Sequence, residues 1–325
     1  MAVSTNEITD GIDRSQLVPG AHLSGVDLTG VDLSGLDLSG ADLSQATLRD
    51  VRAVKTCLKG ANLHRADLVG AQFLDADLSD ADLSHAVATG AGLGGCGLEG
   101  ASLFGADIKN TTLSHASLKG ADLRMVKANG ARFRNSDLTG TDVSRADFSN
   151  TDMAGANLAK ATLHETDLHE AALGGIVGFE TTDWVGCNVT HADFTGAYLA
   201  RRVVIDQNYL HEFRSQSKWH EWLYRIWWVT SDCGRSYSRW GLWTLAFALL
   251  FTGLYELVAI DYGDYPTPLS SLYYSIVTLT TLGYGDVLPA SQTAQVVVML
   301  QVVIGYVMLG GLLSIFSSKM SRRGD

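Results

Sequence analysis

The chain has 325 residues and a formal net charge of −11, and this length allows two domains. The acidity is regional, because residues 1–200 carry 26 acidic and 14 basic side chains, whereas residues 201–325 carry 9 and 10. The first twenty residues lack the basic start and apolar core of a secretory signal, so residues 1–200 are predicted to stay where they are made. The four cysteines stand far apart and the histidines are scattered, which indicates neither a disulfide framework nor a metal site.

An apolar residue recurs at every fifth position from Leu23 to Leu173. Of these 31 positions 22 are Leu, and 19 of the residues two places earlier are Ala. A period of five keeps neither one face of a helix nor one face of a straight strand. A chain that bends inward once per unit would bring every Leu to a common axis, so the repeat predicts a square coil of stacked turns.

The unit Ala61-Asn62-Leu63-His64-Arg65 and its repeats resemble the pentapeptide-repeat family. The resemblance implies a right-handed quadrilateral β-helix with four units per coil, over residues 21–200. After Leu173 the apolar positions continue one residue out of register, at Phe179, Trp184, Val189, Phe194 and Leu199. We therefore predict one extra residue, as a bulge, within the segment 174–178.

Aspartates precede many of these Leu residues, on the side predicted to face outward. Some soluble pentapeptide-repeat proteins bind gyrase through acidic surfaces, so capture of a protein partner is one interpretation. With four units per coil, residues twenty apart would stack above one another, and the columns they form mix acidic, basic and neutral side chains. One such column is Asp27, Thr47, Asp67, Val87, Asp107, Lys127, Asp147, Asp167. An interrupted column favours a solvated surface in which some Asp residues bond to local backbone.

Two apolar spans follow, each long enough to cross a bilayer core as a helix. Trp240–Ile260 contains one charged residue, Glu256, which is predicted to be interfacial, and Thr293–Phe316 contains none. Basic residues lie before the first span and after the second, but residues 261–292 contain neither Lys nor Arg. The positive-inside rule then predicts a multi-pass protein of the cell (plasma) membrane with both termini and the repeat domain in the cytoplasm.

The segment before the first span predicts an amphipathic helix over Lys218–Thr230. Trp219, Leu223 and Ile226 share one helical stripe, and charged residues share another. Such a helix can lie in the membrane interface with Trp at headgroup depth. The alternative is an ordinary packed connecting helix.

Between the two spans, eleven residues from Ser270 predict a helix too short to cross the membrane. The following run, Thr281–Gly285, is predicted to be non-helical, and such backbone is tolerated at membrane depth only where it lines a cavity. Rings of backbone carbonyls from several subunits can replace the water around a cation. Gly283 and Gly285 permit the dihedrals that turn carbonyls toward one axis. The segment therefore predicts a re-entrant pore helix and filter loop.

The stretch TTLGYGD resembles the selectivity filter of potassium channels, and the resemblance extends over roughly Arg239 to Phe316. It implies that five consecutive residues bind the ion: Thr281, Leu282, Gly283, Tyr284 and Gly285. It also implies that Asp286 lies at the outer mouth, and that Tyr284 braces the filter against the pore helix near Tyr273 and Tyr274. Leu282 stands where the family more often has Val.

The second span is predicted to form an inner gate. Gly305 lies 24 residues after Thr281, the spacing at which many potassium channels of similar form carry a hinge glycine. Leu309, Leu313 and Phe316 follow on one helical stripe and are predicted to form an apolar constriction. The alternative for Gly305 is close helix packing, for which Gly310-Gly311 is an equally good candidate.

The sequence thus predicts one subunit of a homotetrameric, potassium-selective channel with a cytoplasmic regulatory or interaction domain. The predicted parts are an N-terminal segment 1–20, a β-helix 21–200, a linker 201–238, an all-α membrane pore domain 239–317 with two transmembrane helices, and a tail 318–325. We expect no enzymatic activity, no nucleic-acid partner and no cofactor or metal other than permeant K⁺; the repeat domain's own partner is not identified. Two alternatives stay open: a nonselective cation channel of the same fold, and a membrane-tethered scaffold that binds a protein.

Overall fold

A computed structural model describes residues 7–8, 12–234, 236–263 and 266–321, which form two compact units, Met1–His211 and Glu212–Asp325. The predicted N-terminal segment 1–20 and tail 318–325 therefore lie partly outside the described residues. The helices and strands are β1 (Glu7–Ile8), β2 (Ile12–Asp13), α1 (Tyr198–Ser215), α2 (Lys218–Ser231), α3 (Tyr237–Tyr255), β3 (Ile260–Asp261), α4 (Ser270–Leu279), β4 (Leu288–Pro289) and α5 (Gln292–Ser321). β1 pairs antiparallel with β2, and β3 with β4.

The repeat forms a continuous coil, residues 21–197, between β2 and α1. Parallel bridges join residues twenty apart, beginning with His22 and Asp42. Four units of five residues therefore make one turn, which confirms the four-sided coil. The amide of Leu23 donates to the Asp42 carbonyl at 2.7 Å, and the amide of Asp42 donates to the Ala21 carbonyl at 2.9 Å. Repetition of these two bonds joins each turn to the next, as in a parallel sheet.

The core of the coil is the predicted column of apolar side chains. Every fifth residue from Leu23 to Leu173 is buried, with at most 4% of its surface exposed. Where Thr replaces Ala beside this column, the buried hydroxyl finds a carbonyl: Thr56 donates to Leu33 at 2.9 Å and Thr111 to Ala88 at 2.7 Å. These two buried hydroxyls are thus paired, as burial requires.

The extra residue lies later than predicted. Bridged residues stay twenty apart as far as the pair Asn157 and Val177 and become 21 apart at Thr162 and Asp183. The additional residue therefore belongs to a 3₁₀ turn, Phe179–Thr181, and the prediction of a bulge within 174–178 is wrong. Gly178 enters this turn with a φ of 74°, and a Cβ added there would lie 2.5 Å from the Ala159 nitrogen. Glycine thus decides where the turn occurs.

The coil also ends earlier than predicted. Leu199 was expected to continue the apolar column, but it lies half-exposed in α1. Ala200 and Val204 of the same helix pack into the end of the core instead. The side chains of Gln207 and Asn208 accept hydrogen bonds from the amides of Trp184, at 2.9 Å, and Gly186, at 2.7 Å. Helix α1 therefore caps the last turn, whose open edge would otherwise leave backbone groups unpaired.

In the second unit, α2 matches the predicted helix over Lys218–Thr230 and is N-capped by Ser217. The following helix, α3, ends at Tyr255, five residues before the end of the predicted span. Helix α5 has 30 residues. Within the described residues, one helical segment, Gln292–Ser317, is long and apolar enough to cross a membrane by length and composition.

Candidate ion-conduction site

Helix α4 is a ten-residue helix that packs against both α3 and α5. Six of its residues are buried: Ser271, Tyr274, Ser275, Val277, Thr278 and Leu279. A helix this short is marginal by itself, so its position depends on these contacts. The predicted short helix between the spans is confirmed as a helix.

In the backbone after α4, φ changes sign at successive residues. Thr281, Gly283 and Gly285 have φ values of 59°, 49° and 78°, so every second residue is left-handed. In an extended strand successive carbonyls point to opposite sides, and a change in the sign of φ at every second residue breaks that alternation. Thr281 is β-branched, and a left-handed conformation there costs on the order of 1–3 kcal/mol. The amide of Leu282 donates to the Val277 carbonyl at 3.0 Å, which ties this strained segment to α4.

The predicted filter residues remain accessible in the single chain. Leu282 is 58% exposed and Tyr284 is 67% exposed. A cavity of about 260 Å³ is lined by residues of the loop, of α4 and of α5. The loop residues among them are Thr281, Gly283, Tyr284, Gly285, Asp286 and Val287.

The two tyrosines of α4 hold different parts of the structure. The hydroxyl of Tyr273 donates to the Asp286 carboxylate at 2.7 Å, across the predicted filter loop. Tyr274 is buried, with its ring centroid 4.9 Å from that of Tyr255 in α3. In the part of the single chain that the structure describes, Tyr284 makes no ring contact with either of them. Tyr273 therefore braces Asp286, and bracing by Tyr284 stays a prediction.

Two of the three glycines of α5, Gly305 and Gly311, lie at close contacts. A Cβ added to Gly305 would overlap the carbonyl oxygen of Leu279, at the end of α4. A Cβ added to Gly311 would overlap the ring of Trp240, whose Nε1 donates to the Met308 carbonyl at 2.8 Å. Helix α5 is continuous through both positions. Close packing at Gly305 is thus present, and its role as a hinge stays a prediction.

The predicted constriction lies further along the same helix. Leu309, Leu313 and Phe316 are all exposed in the single chain. They stand four, eight and eleven residues after Gly305, so they lie on one stripe of α5. This stripe is available for contact with other copies or with lipid.

A buried polar network joins the three helices and was not predicted. The amide nitrogen of Gln301 in α5 donates to the Ser275 carbonyl at 3.0 Å and contacts the Ser275 hydroxyl at 2.8 Å. The Ser275 hydroxyl donates to the Ala248 carbonyl in α3 at 2.7 Å, and the Tyr255 hydroxyl donates to Oε1 of Gln301. Gln301 and Ser275 are fully buried. The signal in the sequence was an amide side chain well inside an apolar span, because a buried amide must find partners.

Comparisons with known families agree with both parts of the sequence analysis. A model described as ion channel matches residues 238–322, and a model of pentapeptide repeats, in 8 copies, matches segments between residues 19 and 176. The chain therefore carries pentapeptide repeats in its N-terminal part and an ion-channel domain at its C-terminal side. Ion-channel domains are membrane domains, and neither family is a family of enzymes.

Individual relatives are similar over one part of the chain each. A voltage-gated potassium channel of Aeropyrum pernix is 42% identical over 57 residues, which are 15% of this chain and 19% of that protein. The match thus spans about a fifth of that relative's length. The crystal structure of HetL, a pentapeptide-repeat protein involved in heterocyst differentiation regulation from the cyanobacterium Nostoc, is 26% identical, covering 55% of this chain and 88% of that chain, with a TM-score of 0.39. A plasmid-mediated fluoroquinolone resistance protein is 24% identical, covering 59% of this chain and 97% of that chain, with a TM-score of 0.39.

Proposed function

We propose that the second unit is the pore subunit of a homotetrameric, potassium-selective channel. The observation that carries the proposal is the backbone of Thr281–Gly285, with a left-handed residue at every second position. Potassium loses its water in a filter only if a ring of oxygens replaces it, and carbonyls from several subunits can supply such a ring. In this proposal α3 and α5 cross the membrane and α4 is the re-entrant pore helix.

Exposure of the filter loop supports an assembly of several copies. One chain supplies one arc of a ring, and its Leu282 and Tyr284 are more than half exposed without neighbours. Apolar surface of this kind marks an interaction site. Closed point-group symmetry would place the loops of four copies around one axis. Tyr284 would then brace the filter against the α4 of an adjacent copy.

The surrounding groups favour a cation at both ends of the loop. Helix α4 ends at Leu279, two residues before Thr281, so the partial negative charge of its C-terminus lies at the start of the filter. At the other end Tyr273 holds the carboxylate of Asp286 at the proposed outer mouth. Transport is then passive, with binding strong enough to admit the ion and weak enough to release it.

The remaining parts of the chain are assigned by charge. The basic residues before α3, and the absence of Lys and Arg from 261–292, support cytoplasmic termini and a cytoplasmic coil. The coil would serve as a regulatory or interaction domain. The exposed stripe of Leu309, Leu313 and Phe316 would close the inner end of the pore.

The test is flux through planar bilayers that contain the purified full-length protein, with opposed potassium and sodium gradients. We expect a reversal potential near that of a potassium electrode. The Gly283→Ala variant should lose selectivity, because its φ of 49° disfavours a side chain. Gly253→Ala in α3, where an added Cβ meets open space, is the matched control. A reversal potential near zero would favour the nonselective channel, and absence of flux would favour the tethered scaffold.

A further inference from the structure

Two histidines and a glutamate meet on the surface of the coil, far along the chain from the filter. His169 and Glu170 lie in one turn, and His191 lies in the next. The imidazole rings are 5.4 Å apart at 69°, and Nε2 of His169 is 3.5 Å from the Glu170 carboxylate. One ligand atom from each of the three side chains lies within 4.8 Å of the others. The sequence did not reveal this group, because the coil brings residues 21 apart side by side.

The backbone beneath these side chains is fixed. The amide of Glu170 donates to the Thr190 carbonyl at 3.0 Å, which joins the two turns directly under the cluster. The amide of His169 donates to the Asp167 carboxylate at 3.0 Å within its own turn. Glu170 and His191 both have a left-handed φ, of 56° and 58°. The Cα atoms are therefore held by the coil, whereas the exposed side chains can still rotate.

The donor set is that of a transition-metal site. Imidazole nitrogen and carboxylate oxygen bind Zn²⁺ at about 2.0–2.2 Å, which separates two tetrahedral ligands by about 3.4 Å. The three donors would have to approach one another by an ångström or so, which rotation of partly exposed side chains can supply. Three protein ligands leave a fourth position for water, as in sites of the His₂Glu type. Calcium and magnesium prefer oxygen donors alone and fit this set poorly.

A second histidine pair on the coil supplies a comparison. His64 and His85 also belong to adjacent turns, with rings 5.8 Å apart at 88°. Nδ1 of His64 lies 2.8 Å from the Ser84 hydroxyl. Among the described residues, the cluster around His169 is the one where a carboxylate joins two histidines within ligand distance. An edge-to-face contact between two imidazoles therefore does not by itself create the site.

We propose that His169, Glu170 and His191 bind one divalent transition-metal ion of the zinc class, and that this ion links the last turns of the coil. These turns lie next to α1, whose Gln207 and Asn208 cap the coil. Because the ion binds a geometry that the unfolded chain lacks, it stabilises the folded end of the coil. The proposal does not depend on conduction by the pore.

The test measures zinc bound to full-length protein in detergent, by equilibrium dialysis against ZnCl₂. We expect one additional equivalent per chain in the wild type compared with His169→Gln/His191→Asn. The control is His64→Gln/His85→Asn, which should keep that equivalent. Asn suits the left-handed φ of both His191 and His85, so the coil should be retained in each variant. Thermal unfolding of each variant in the absence of metal, compared with the wild type, checks that the coil is retained.

The single variant Glu170→Gln should weaken zinc binding at least tenfold, because an amide replaces the anionic ligand. Cobalt added in place of zinc should give the absorption of a nitrogen- and oxygen-ligated ion, without a thiolate charge-transfer band. The cysteines are common to all variants, so zinc bound to them cancels in the comparison. Equal zinc binding by the wild type and both double variants would overturn the proposal, as would loss of the equivalent in the His64/His85 variant.

Discussion

The buried hydrogen bond between Tyr255 and Gln301 offers a sharp test of how α4 is held. Gln301 joins α5 to α4 through Ser275, and Tyr255 joins α3 to Gln301. The Tyr255→Phe variant removes the hydroxyl and leaves Oε1 of Gln301 without that donor. Gln301→Leu removes the amide and leaves the Tyr255 hydroxyl without its acceptor. The double variant replaces both groups by apolar ones of similar shape.

The expected free energies follow from burial. A buried donor or acceptor that loses its partner costs about 1–3 kcal/mol, so Tyr255→Phe should lower the free energy of unfolding by that amount. Gln301→Leu should cost more, because Nε2 also serves Ser275. Replacement of both partners by apolar groups can be nearly neutral, so the double variant should be more stable than the sum of the single effects predicts. The coupling energy should lie within about 0.5–3 kcal/mol.

The assay is denaturant or thermal unfolding of the purified full-length protein in one detergent. Tyr306→Phe serves as the control, since Tyr306 lies exposed on the same helix. Under the proposed function, Gln301→Leu should also reduce the preference for potassium over sodium, because it releases α4 beneath the filter. If the double variant loses as much free energy of unfolding as the two single variants together, within error, the coupling and the role of the network are refuted.

Three further predictions follow from the packing and the charges. Gly305→Ala should lower the free energy of unfolding by about 1–3 kcal/mol through overlap with the Leu279 carbonyl, whereas the control Gly310→Ala should not. If Gly305→Ala instead abolishes the current and leaves stability unchanged, a hinge at Gly305 is favoured. Burial raises the pKa of the Cys96 and Cys187 thiols to about 12. Because the thiolate is the reactive form, alkylation of these thiols at pH 8 should be on the order of a thousandfold slower than that of an ordinary thiol. Rapid labelling of both in the folded protein would contradict this. Hydrogen bonds from the residue two places on lower the pKa of several coil aspartates below the ordinary value of 3.8. The stability they contribute is present above that pH and is lost as the pH falls through the lower folded values, so an unfolding free energy that does not change as the pH falls below 3.8 would refute this. These aspartates are Asp27, Asp32, Asp37, Asp42, Asp77 and Asp193.

The coil was predictable because its rule is local and repeated. Each unit has the same packing requirement, so the inward column of apolar residues follows from the period. The bridges twenty apart and the mixed columns follow once the family resemblance supplies four units per turn. The extra residue was misplaced because apolar spacing fixes the register on either side of an insertion, not the insertion itself. Gly178 decides the position through its φ and its close approach to Ala159. The early end at Tyr198 was missed because Leu199 still obeys the period while α1 competes for the same residues.

The backbone conformation of the proposed filter loop was predictable for a different reason. Glycine at two alternate positions permits a left-handed backbone at both, and the structure gives a left-handed residue at each of them and at Thr281. The contacts of Gly305 and Gly311 were not predictable, because a glycine in a helix permits bending and close packing equally. Choosing between them requires knowledge of the neighbour, here the Leu279 carbonyl and the Trp240 ring.

The hydroxyls of α4 explain why polar residues are buried in an apolar domain. Apolar contacts alone allow a ten-residue helix to slide or rotate, since they have no direction. Hydrogen bonds have direction, and Ser275 uses them to reach both α3 and Gln301. One turn earlier, the Ser271 hydroxyl donates to the Glu256 carboxylate at 2.5 Å. Glu256 at the end of the first span is therefore better explained as the partner that fixes the start of α4 than as a residue placed only for the membrane interface.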